Sequence, residues 1–393
     1  MNTTILQKEV QIFINENLKA DINKLILKGS PFEGVSIQEL ANQIIAKQKS
    51  EIKLPTWFNT EKIYYPKKIS IEQTSSEITA EYKSKLITGD TFIDITGGFG
   101  IDCYAFAKQF KNVVHCEINE ELSEIVSYNY QQLNINNITT VAKNGIDYLK
   151  NTNQKFDCIY IDPSRRNDVK GKVFLLNDCL PNVLENLEFL FTKTDTILIK
   201  NSPILDITST INELNFVKEI HVISIKNEVK ELLFLLKKED KEIIEIKTLN
   251  VLKNKNEVFN FKLKKTLNTT YSTPLTFLYE PNAAILKSGG FNEVSNQLKV
   301  NKLHQHSHLY TSKELIEFFP GRTFKIETII PYNKKKIKKL LTTPKANITT
   351  RNFPKTVAQI RLETKLKDGG NTFLFFTTNV NNELIVISCT KIK

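Results

Sequence analysis

Long apolar runs are the first thing this 393-residue sequence lacks. A helix that spans a membrane needs about 18 to 20 consecutive apolar residues. Here the longest candidates, such as Leu232–Leu236, stop at lysines. The opening MNTTILQKEVQIF meets Glu9 before any apolar stretch forms, so it does not read as a secretory signal. Cysteine is scarce as well: Cys103, Cys116, Cys158, Cys179 and Cys389 are an odd number without CxxC spacing. That excludes a small disulfide framework and predicts reduced thiols in a cytoplasmic protein. The balance of 40% hydrophobic and 25% charged residues excludes a disordered or collagen-like chain. At roughly 150 residues per domain, the length predicts two or three domains.

Arginine is the other shortage: five of the 54 basic residues, in a chain rich in Lys, Asn and Ile. The net charge of +11 is also unevenly spread. Residues 1–240 hold 28 Lys/Arg against 32 Asp/Glu, a balance of −4, and residues 241–393 hold the remaining 26 against 11, a balance of +15. Such asymmetry points to nucleic acid or another anionic surface. A lysine-rich composition alone would weaken that reading, so it needs support from motifs.

The chain falls into three stretches. Residues 1–75 read as a helical N-terminal domain. Leu6, Val10, Phe13, Ile14 and Leu18 recur with helical period, and Ser36-Ile37-Gln38-Glu39 looks like a helix start. Pro55 and Pro66 are expected to break the pattern around Trp57, Phe58 and Tyr64–Tyr65. Residues 76–240 alternate strands and helices. Strands are expected at 91–95, 112–118, 139–142, 157–162, 196–201, 219–225 and 231–236, and helices around 101–109, 120–132 and 179–191. That alternation predicts an α/β fold with a mostly parallel sheet, covered on both faces. The last two strands are too close for a helix between them and should form a hairpin at one edge. Residues 241–278 read as a connecting segment, either a strand pair or a mobile link. Beyond them come short elements with many basic residues.

Three motifs carry chemistry. Phe92-Ile93-Asp94-Ile95-Thr96-Gly97-Gly98-Phe99-Gly100 is a strand, a glycine-rich turn and a helix start. Glycines let the backbone approach a ligand, and the helix N-terminus favours negative groups. A dinucleotide fingerprint would need glycine at 103, where Cys103 stands. Asp94 at the strand end suits a ligand with an ammonium group, such as S-adenosylmethionine, rather than a pyrophosphate. Glu117 ends the second strand about 20 residues on, where an acid accepts hydrogen bonds from ribose hydroxyls. After the third strand a side-chain amide or acid could read an adenine edge, and Asn144 is favoured over Asp147. The third motif is Tyr160-Ile161-Asp162-Pro163-Ser164-Arg165-Arg166. Carboxyl ends of parallel strands line the ligand crevice, Asp162 can orient a nucleophilic amine, and arginine suits a phosphate backbone.

The run DITGGFGID, Glu117, YIDPSRR and Lys200-Asn201-Ser202-Pro203 together resemble a class I S-adenosylmethionine-dependent methyltransferase. More closely, the chain resembles bacterial proteins in which this domain is followed by a ferredoxin-like piece and a C-terminal THUMP-like domain. The closer likeness rests on residues 72–80 (EQTSSEITA), 280–285 (EPNAAI) and 306–312 (HSHLYTS). Pro320-Gly321 and Arg351-Asn352-Phe353-Pro354 belong with them. It covers residues from about 70 to the end.

The resemblance implies a Rossmann-like methyltransferase sheet with a helical N-terminal domain and a small α+β C-terminal domain. The domains would be 1–75 helical, 76–240 methyltransferase, 241–278 connecting, 279–320 ferredoxin-like and 321–393 THUMP-like and basic. It implies an RNA methyltransferase, with S-adenosylmethionine as cofactor and ribosomal or transfer RNA as partner, acting on a base nitrogen or exocyclic amine. Asp94, Thr96, Gly98, Gly100, Glu117 and Asn144 would then hold the cofactor, and Ser76 and Thr79 would close over its methionine carboxylate. Asp162 and Pro163 stand where amino-group methyltransferases carry Asp-Pro-Pro-aromatic. Ser164 and Arg165 depart from that pattern, although a guanidinium plane can also stack on a base. Uracil-C5 enzymes need a cysteine nucleophile after the fifth strand, and Lys200-Asn201-Ser202-Pro203 has none. Cys158 in the fourth strand and Cys179 in the next helix are expected as core thiols.

Arg165, Arg166, Lys334, Lys335, Lys336, Lys338 and Lys339 are the RNA-contact candidates. His304, His306 and His308, in a strand, would share one face, but without flanking cysteines or an HExxH helix no metal is expected. Phe318, Phe319, Phe324 and Phe353 are expected in the core. A methyltransferase acting on a small molecule or protein, or a non-catalytic RNA-binding protein on the same fold, remains open at this stage.

Overall fold

The computed structural model describes residues 1–66, 68–165, 175–239, 242–263, 268–340 and 344–392, with side chains at 68–70, 165 and 338–340 left aside. The chain divides into two compact units, Met1–Val217 with Leu233–Lys241, and Lys218–Leu232 with Glu242–Lys393.

The first unit opens with helices α1 (Lys8–Glu16), α2 (Ile22–Lys28), α3 (Ile37–Lys53), α4 (Pro55–Asn59), α5 (Lys68–Gln73) and α6 (Glu77–Ser84). Val10 and Ile14 are buried from α1, and Leu40, Ala41 and Ile44 from α3, at the spacing the sequence shows. Ser36 and Glu39 form a reciprocal capping box at the start of α3, satisfying donors that a helix end leaves open. Pro55 does not only break the pattern. It occupies the first turn of α4, where a missing N–H costs nothing, and α4 buries Trp57 completely.

The sheet follows: β1 (Thr91–Asp94), α7 (Ile101–Phe106), β2 (Asn112–Cys116), α8 (Glu120–Gln132), β3 (Ile138–Val141), α9 (Gly145–Asn151) and β4 (Cys158–Ile161). Short strands β5 (Ser164–Arg165) and β6 (Cys179–Leu180), α10 (Val183–Leu190), β7 (Thr196–Asn201) and α11 (Ile207–Glu213) complete it before the hairpin β8 (Val217–Ile225) and β9 (Glu228–Lys237). Within the first unit the strand order is β9-β7-β4-β1-β2-β3, with β7, β4, β1, β2 and β3 parallel. The order reverses between β1 and β4, and a crevice opens beyond strand ends at such a point. This is the Rossmann-like sheet of class I methyltransferases. Its core is aromatic beside β1: Phe92 stacks on Phe106 with centroids 3.9 Å apart.

Two local expectations fail here. The helix expected at 179–191 begins only at Val183, because Pro181 disfavours helical geometry in the residue before it. Cys179 and Leu180 instead pair antiparallel with Arg165 and Ser164, so Cys179 is a buried strand thiol. The β8–β9 turn is Lys226-Asn227, both with positive φ (51° and 64°), the geometry that matches strand twist. The hairpin is not an edge, because β10 (Glu245–Val251) pairs parallel with β8.

In the second unit β11 (Asn256–Lys262) pairs antiparallel with β10, the strand-pair alternative for this stretch. Then come β12 (Phe277–Pro281), α12 (Ala283–Ser288), α13 (Phe291–Leu298), β13 (Asn301–Lys302) and β14 (Tyr310–Ser312). They are followed by β15 (Gly321–Pro331), α14 (Lys334–Leu340), β16 (Asn347–Arg351), α15 (Val357–Thr364), β17 (Thr372–Thr378) and β18 (Leu384–Lys391). These strands make a seven-stranded sheet in the order β13-β14-β12-β15-β18-β17-β16. One core cluster holds Leu278, Phe324, Phe375 and Ile387. Another joins Ile337 of α14 and Ile360 of α15 to Leu374 and Phe376. Phe319 and Phe324 are buried and Phe353 packs on the second cluster, but Phe318 is 84% exposed.

Candidate active site at the strand ends

The ends of β1 and β4 are tied together by one hydroxyl. Thr96 donates its backbone N–H (2.8 Å) and its Oγ1 (3.0 Å) to Asp94 Oδ1. The same Oγ1 accepts the backbone N–H of Asp162 at 2.8 Å. Among the described residues Asp94 Oδ2 meets only the Cys103 thiol, at 3.7 Å. Burial pushes the Asp94 carboxyl up to about 7, the Thr96 backbone N–H works against that rise, and the charges of Asp102 and Asp162 add to it. A carboxylate kept this short of partners is stabilised by an incoming cation.

The glycine turn is shaped for close approach. Gly98 has φ +57° and its missing Cβ would point into open space, with nothing nearer than Thr96 O at 3.9 Å. Gly100, at φ +78°, is hemmed in: a Cβ there would lie 2.2 Å from the Tyr130 hydroxyl. That hydroxyl donates to Gly100 O at 2.8 Å. The aromatic face of the N-terminal helices backs the turn, with Trp57 near Phe99 (6.4 Å between centroids) and Tyr104 (4.7 Å). Glu117 accepts the Gly98 N–H through Oε2 (2.9 Å) and the Asn119 N–H through Oε1 (2.8 Å). Each carboxylate oxygen keeps a second lone pair for a hydroxyl.

At the β4 and β7 ends, Lys200 donates to Asp162 Oδ2. Below lies Asp102, buried in α7, whose Oδ2 accepts from Ser75 Oγ (2.8 Å) and the Tyr160 hydroxyl (2.9 Å). Lys83, fully buried, stands 3.0 Å from Asp102 Oδ1 and donates to Ser75 Oγ at 2.8 Å. Burial works against the Asp102 carboxylate, yet the Lys83 and Lys200 ammoniums hold it below its usual range. The site thus gathers four carboxyl groups, Asp94, Asp102, Glu117 and Asp162, and two ammoniums. The excess of negative charge, fullest when Asp94 is ionised, suits a ligand carrying positive charge.

The other candidates fall differently. Ser76 and Thr79 satisfy each other at the start of α6: Ser76 Oγ accepts the Thr79 N–H (3.2 Å) and Thr79 Oγ1 donates to Ser76 O (3.1 Å). Asn144 caps α9, its Oδ1 accepting from Ile146 and Asp147, and no described residue takes its amide N–H groups. Pro163 is buried beside Asp162. Arg166 and the side chains of Arg165, Lys338 and Lys339 lie outside the described residues. Lys334, Lys335 and Lys336 are exposed on α14, and Lys334 is 3.3 Å from Glu363. The three histidines do not share a strand face: they occupy the turn between β13 and β14. His304 is held there by Asn352 and Asn382 at 3.0 Å. Among the described residues, no group of three or more His, Cys, Asp or Glu could hold a metal ion, and no helix is long and apolar enough to cross a membrane.

Sequence reasoning missed the Ser75–Lys83–Asp102–Tyr160 network and the part played by Lys200. Asp102 and Lys200 do lie within quoted motifs, but a buried charge pair has no spacing that announces it.

Three family models match parts of the chain. Residues 65–221 match the family described as Conserved hypothetical protein 95, residues 277–320 a ferredoxin-like domain, and residues 321–391 a THUMP domain-like family. Over its whole length the chain is similar to a candidate methyltransferase from Porphyromonas gingivalis W83. Identity is 30%, covering 100% of this chain and 99% of that one, at a TM-score of 0.89. The chain belongs to this family, in which a class I methyltransferase domain is followed by ferredoxin-like and THUMP-like domains. Partial matches include an rRNA methylase from Streptococcus thermophilus, 14% identical over 42% of this chain and 95% of that one, TM-score 0.30. Another is TrmK from M. capricolum in complex with S-adenosyl-homocysteine, 19% identical over 41% and 68%, TM-score 0.32. Likeness at that level adds nothing to the assignment. Comparison with curated proteins finds no match.

Proposed function

We propose that the protein is an S-adenosylmethionine-dependent RNA methyltransferase that methylates a base nitrogen or exocyclic amine by direct displacement. The observation that carries this reading is the pair of strand-end carboxylates, Asp94 and Asp162, joined through Thr96. One is buried and short of partners, fit for a cation, and the other is half-exposed, fit for an acceptor amine. The cofactor supplies a methyl group on a positively charged sulfur. Asp94 would take its ammonium, Thr96, Gly98 and Gly100 would shape its backbone cradle, Glu117 would accept from the ribose, and Asn144 would meet the adenine. Ser76 and Thr79 would fix the N-terminus of α6 beside the methionine end. Asp162 would accept an N–H of the target amine and Pro163 would border it. Most of the acceleration would come from alignment, which can supply on the order of 7–11 kcal/mol.

RNA as the substrate is supported by the THUMP-like match over 321–391 and by the +15 charge of residues 241–393. Arg165 and Arg166 would contact phosphates near the acceptor, and Lys334, Lys335, Lys336, Lys338 and Lys339 would add sequence-independent affinity. The test is calorimetric titration with S-adenosylhomocysteine, with NAD as control, followed by transfer of labelled methyl groups to unmodified ribosomal and transfer RNA. Micromolar binding of S-adenosylhomocysteine alone and label in RNA are expected. NAD binding, or label that survives ribonuclease treatment, would overturn the reading.

A further inference from the structure

Lys200 has no role in the assignments above, yet it occupies the centre of the site. Ile199 of β7 pairs with Ile161 of β4, so the next residues, Lys200 on β7 and Asp162 just past the end of β4, stand at equal height. Residues so placed face the same side of a sheet, and the ammonium donates to Asp162 Oδ2. Its side chain is 11% exposed, against 36% for Asp162. Behind it, Lys200 stabilises the charge of Asp102, which Ser75, Tyr160 and Lys83 hold in place. Lys200 therefore links a carboxylate fixed in the interior to one at the crevice. With Oδ2 engaged and no described residue bonded to Oδ1, Oδ1 of Asp162 is the oxygen left to meet an acceptor.

We propose that Lys200 is a positioning residue for methyl transfer: it fixes the Asp162 carboxylate so that Oδ1 accepts the N–H of the acceptor amine. The inference rests on the function proposed above. In the step it serves, the nitrogen lone pair forms the new C–N bond while the C–S bond breaks and sulfur keeps that electron pair. The nitrogen's proton then passes to Asp162 and on to solvent. A misaligned acceptor loses rate without losing cofactor, and misplacement of about 1 Å can cost on the order of 100-fold.

The test compares full-length wild type with Lys200→Met, Lys200→Arg, Asp162→Asn and the double variant Asp162→Asn/Lys200→Met. Each receives tritiated S-adenosylmethionine and unmodified ribosomal and transfer RNA transcripts. Lys200→Met is expected to lower kcat about 100-fold, with KM for S-adenosylmethionine and affinity for S-adenosylhomocysteine unchanged. Lys200→Arg should recover part of the rate. In the Asp162→Asn background Lys200→Met should cost nothing more, because residues that act as a unit are non-additive. An active wild type with an equally active Lys200→Met would overturn this inference alone. So would an undiminished cost in the Asp162→Asn background, or loss of cofactor affinity in step with rate. A wild type that labels no RNA would overturn the functional reading and this inference with it.

Discussion

A carboxyl buried as deeply as Asp94 holds its proton more tightly in the folded chain than in the unfolded one, and two consequences follow with definite signs. Its value rises from an ordinary 3.8 to about 7, chiefly through burial. Between those values the folded state binds the extra proton, so the stability contributed by Asp94 is full below about pH 4 and is lost as pH rises toward 7. The linked loss is on the order of 4 kcal/mol. Asp94→Asn keeps the oxygen that accepts from Thr96 and removes the ionisation, while buried His115 and half-buried His308, both lowered to about 4, titrate alike in both proteins. The gap in urea midpoint between variant and wild type should therefore shift in the variant's favour from pH 5 to pH 8. The second consequence concerns ligand. An ammonium at Asp94 needs the ionised form, so affinity for S-adenosylhomocysteine should fall up to about tenfold per pH unit below pH 7, with proton release on binding. In Asp94→Asn that pH dependence should vanish and affinity at pH 8 should drop about 10- to 100-fold, the worth of a charge-assisted hydrogen bond. Calorimetry in two buffers of different ionisation enthalpy measures both. Unchanged affinity in the variant would remove Asp94 from the cofactor site.

At the scale of elements, the glycine turn shows how one strand-to-helix connection depends on a helix that follows it. Gly100 is left-handed, and the space its side chain would need is filled by Tyr130 and Val126 of α8. Gly100→Ala would meet the Tyr130 hydroxyl at 2.2 Å and the Val126 methyl at 2.9 Å. Left-handed strain of about 1–2 kcal/mol and overpacking of about 1–3 kcal/mol should add. Tyr130→Phe alone should cost about 1 kcal/mol, because Gly100 O keeps the Tyr104 N–H at 3.0 Å. Combined, the two should cost less than their sum, since the phenyl ring no longer presents the oxygen that clashes. Denaturant midpoints of the four proteins decide it, and strict additivity would show that α8 moves away freely. The turn itself was legible because glycine, strand end and helix start are local signals. The start of α10 was not, since a one-residue effect of Pro181 outweighed a helical apolar pattern. Nor was the place of the β8–β9 hairpin within the sheet, because alternation names a strand but not its neighbour. The histidines were misplaced for a similar reason: spacing of two fits a strand face, yet the turn from β13 to β14 holds them through His304 and two asparagines. Lys83 and Lys200 read as ordinary lysines because their burial is a tertiary fact that residue type argues against.

Charge is divided unevenly over the whole molecule. The crevice residues belong to the first unit, within the stretch whose balance is −4, and the basic excess of +15 belongs to the rest of the chain. Cofactor affinity and RNA affinity should therefore respond to different variables. Counterions released from RNA make binding weaken with salt in proportion to the phosphates neutralised, with a slope of about 0.7 per contact on single strands. The triple variant Lys334→Ala, Lys335→Ala, Lys336→Ala tests this without disturbing the fold. Ile337 remains in its core cluster, Asn333 still accepts the N–H groups of residues 335 and 336, and Glu363 keeps Lys355 and Tyr332. Alanine also favours the helix. Fluorescence anisotropy with a labelled single-stranded RNA between 50 and 300 mM salt should show a slope shallower by about 2. Affinity should be weaker at low salt, and the two proteins should converge at high salt. S-adenosylhomocysteine affinity should stay at the wild-type value throughout. An unchanged slope would mean that these lysines face water in the complex, and that the basic excess reaches phosphates through other residues.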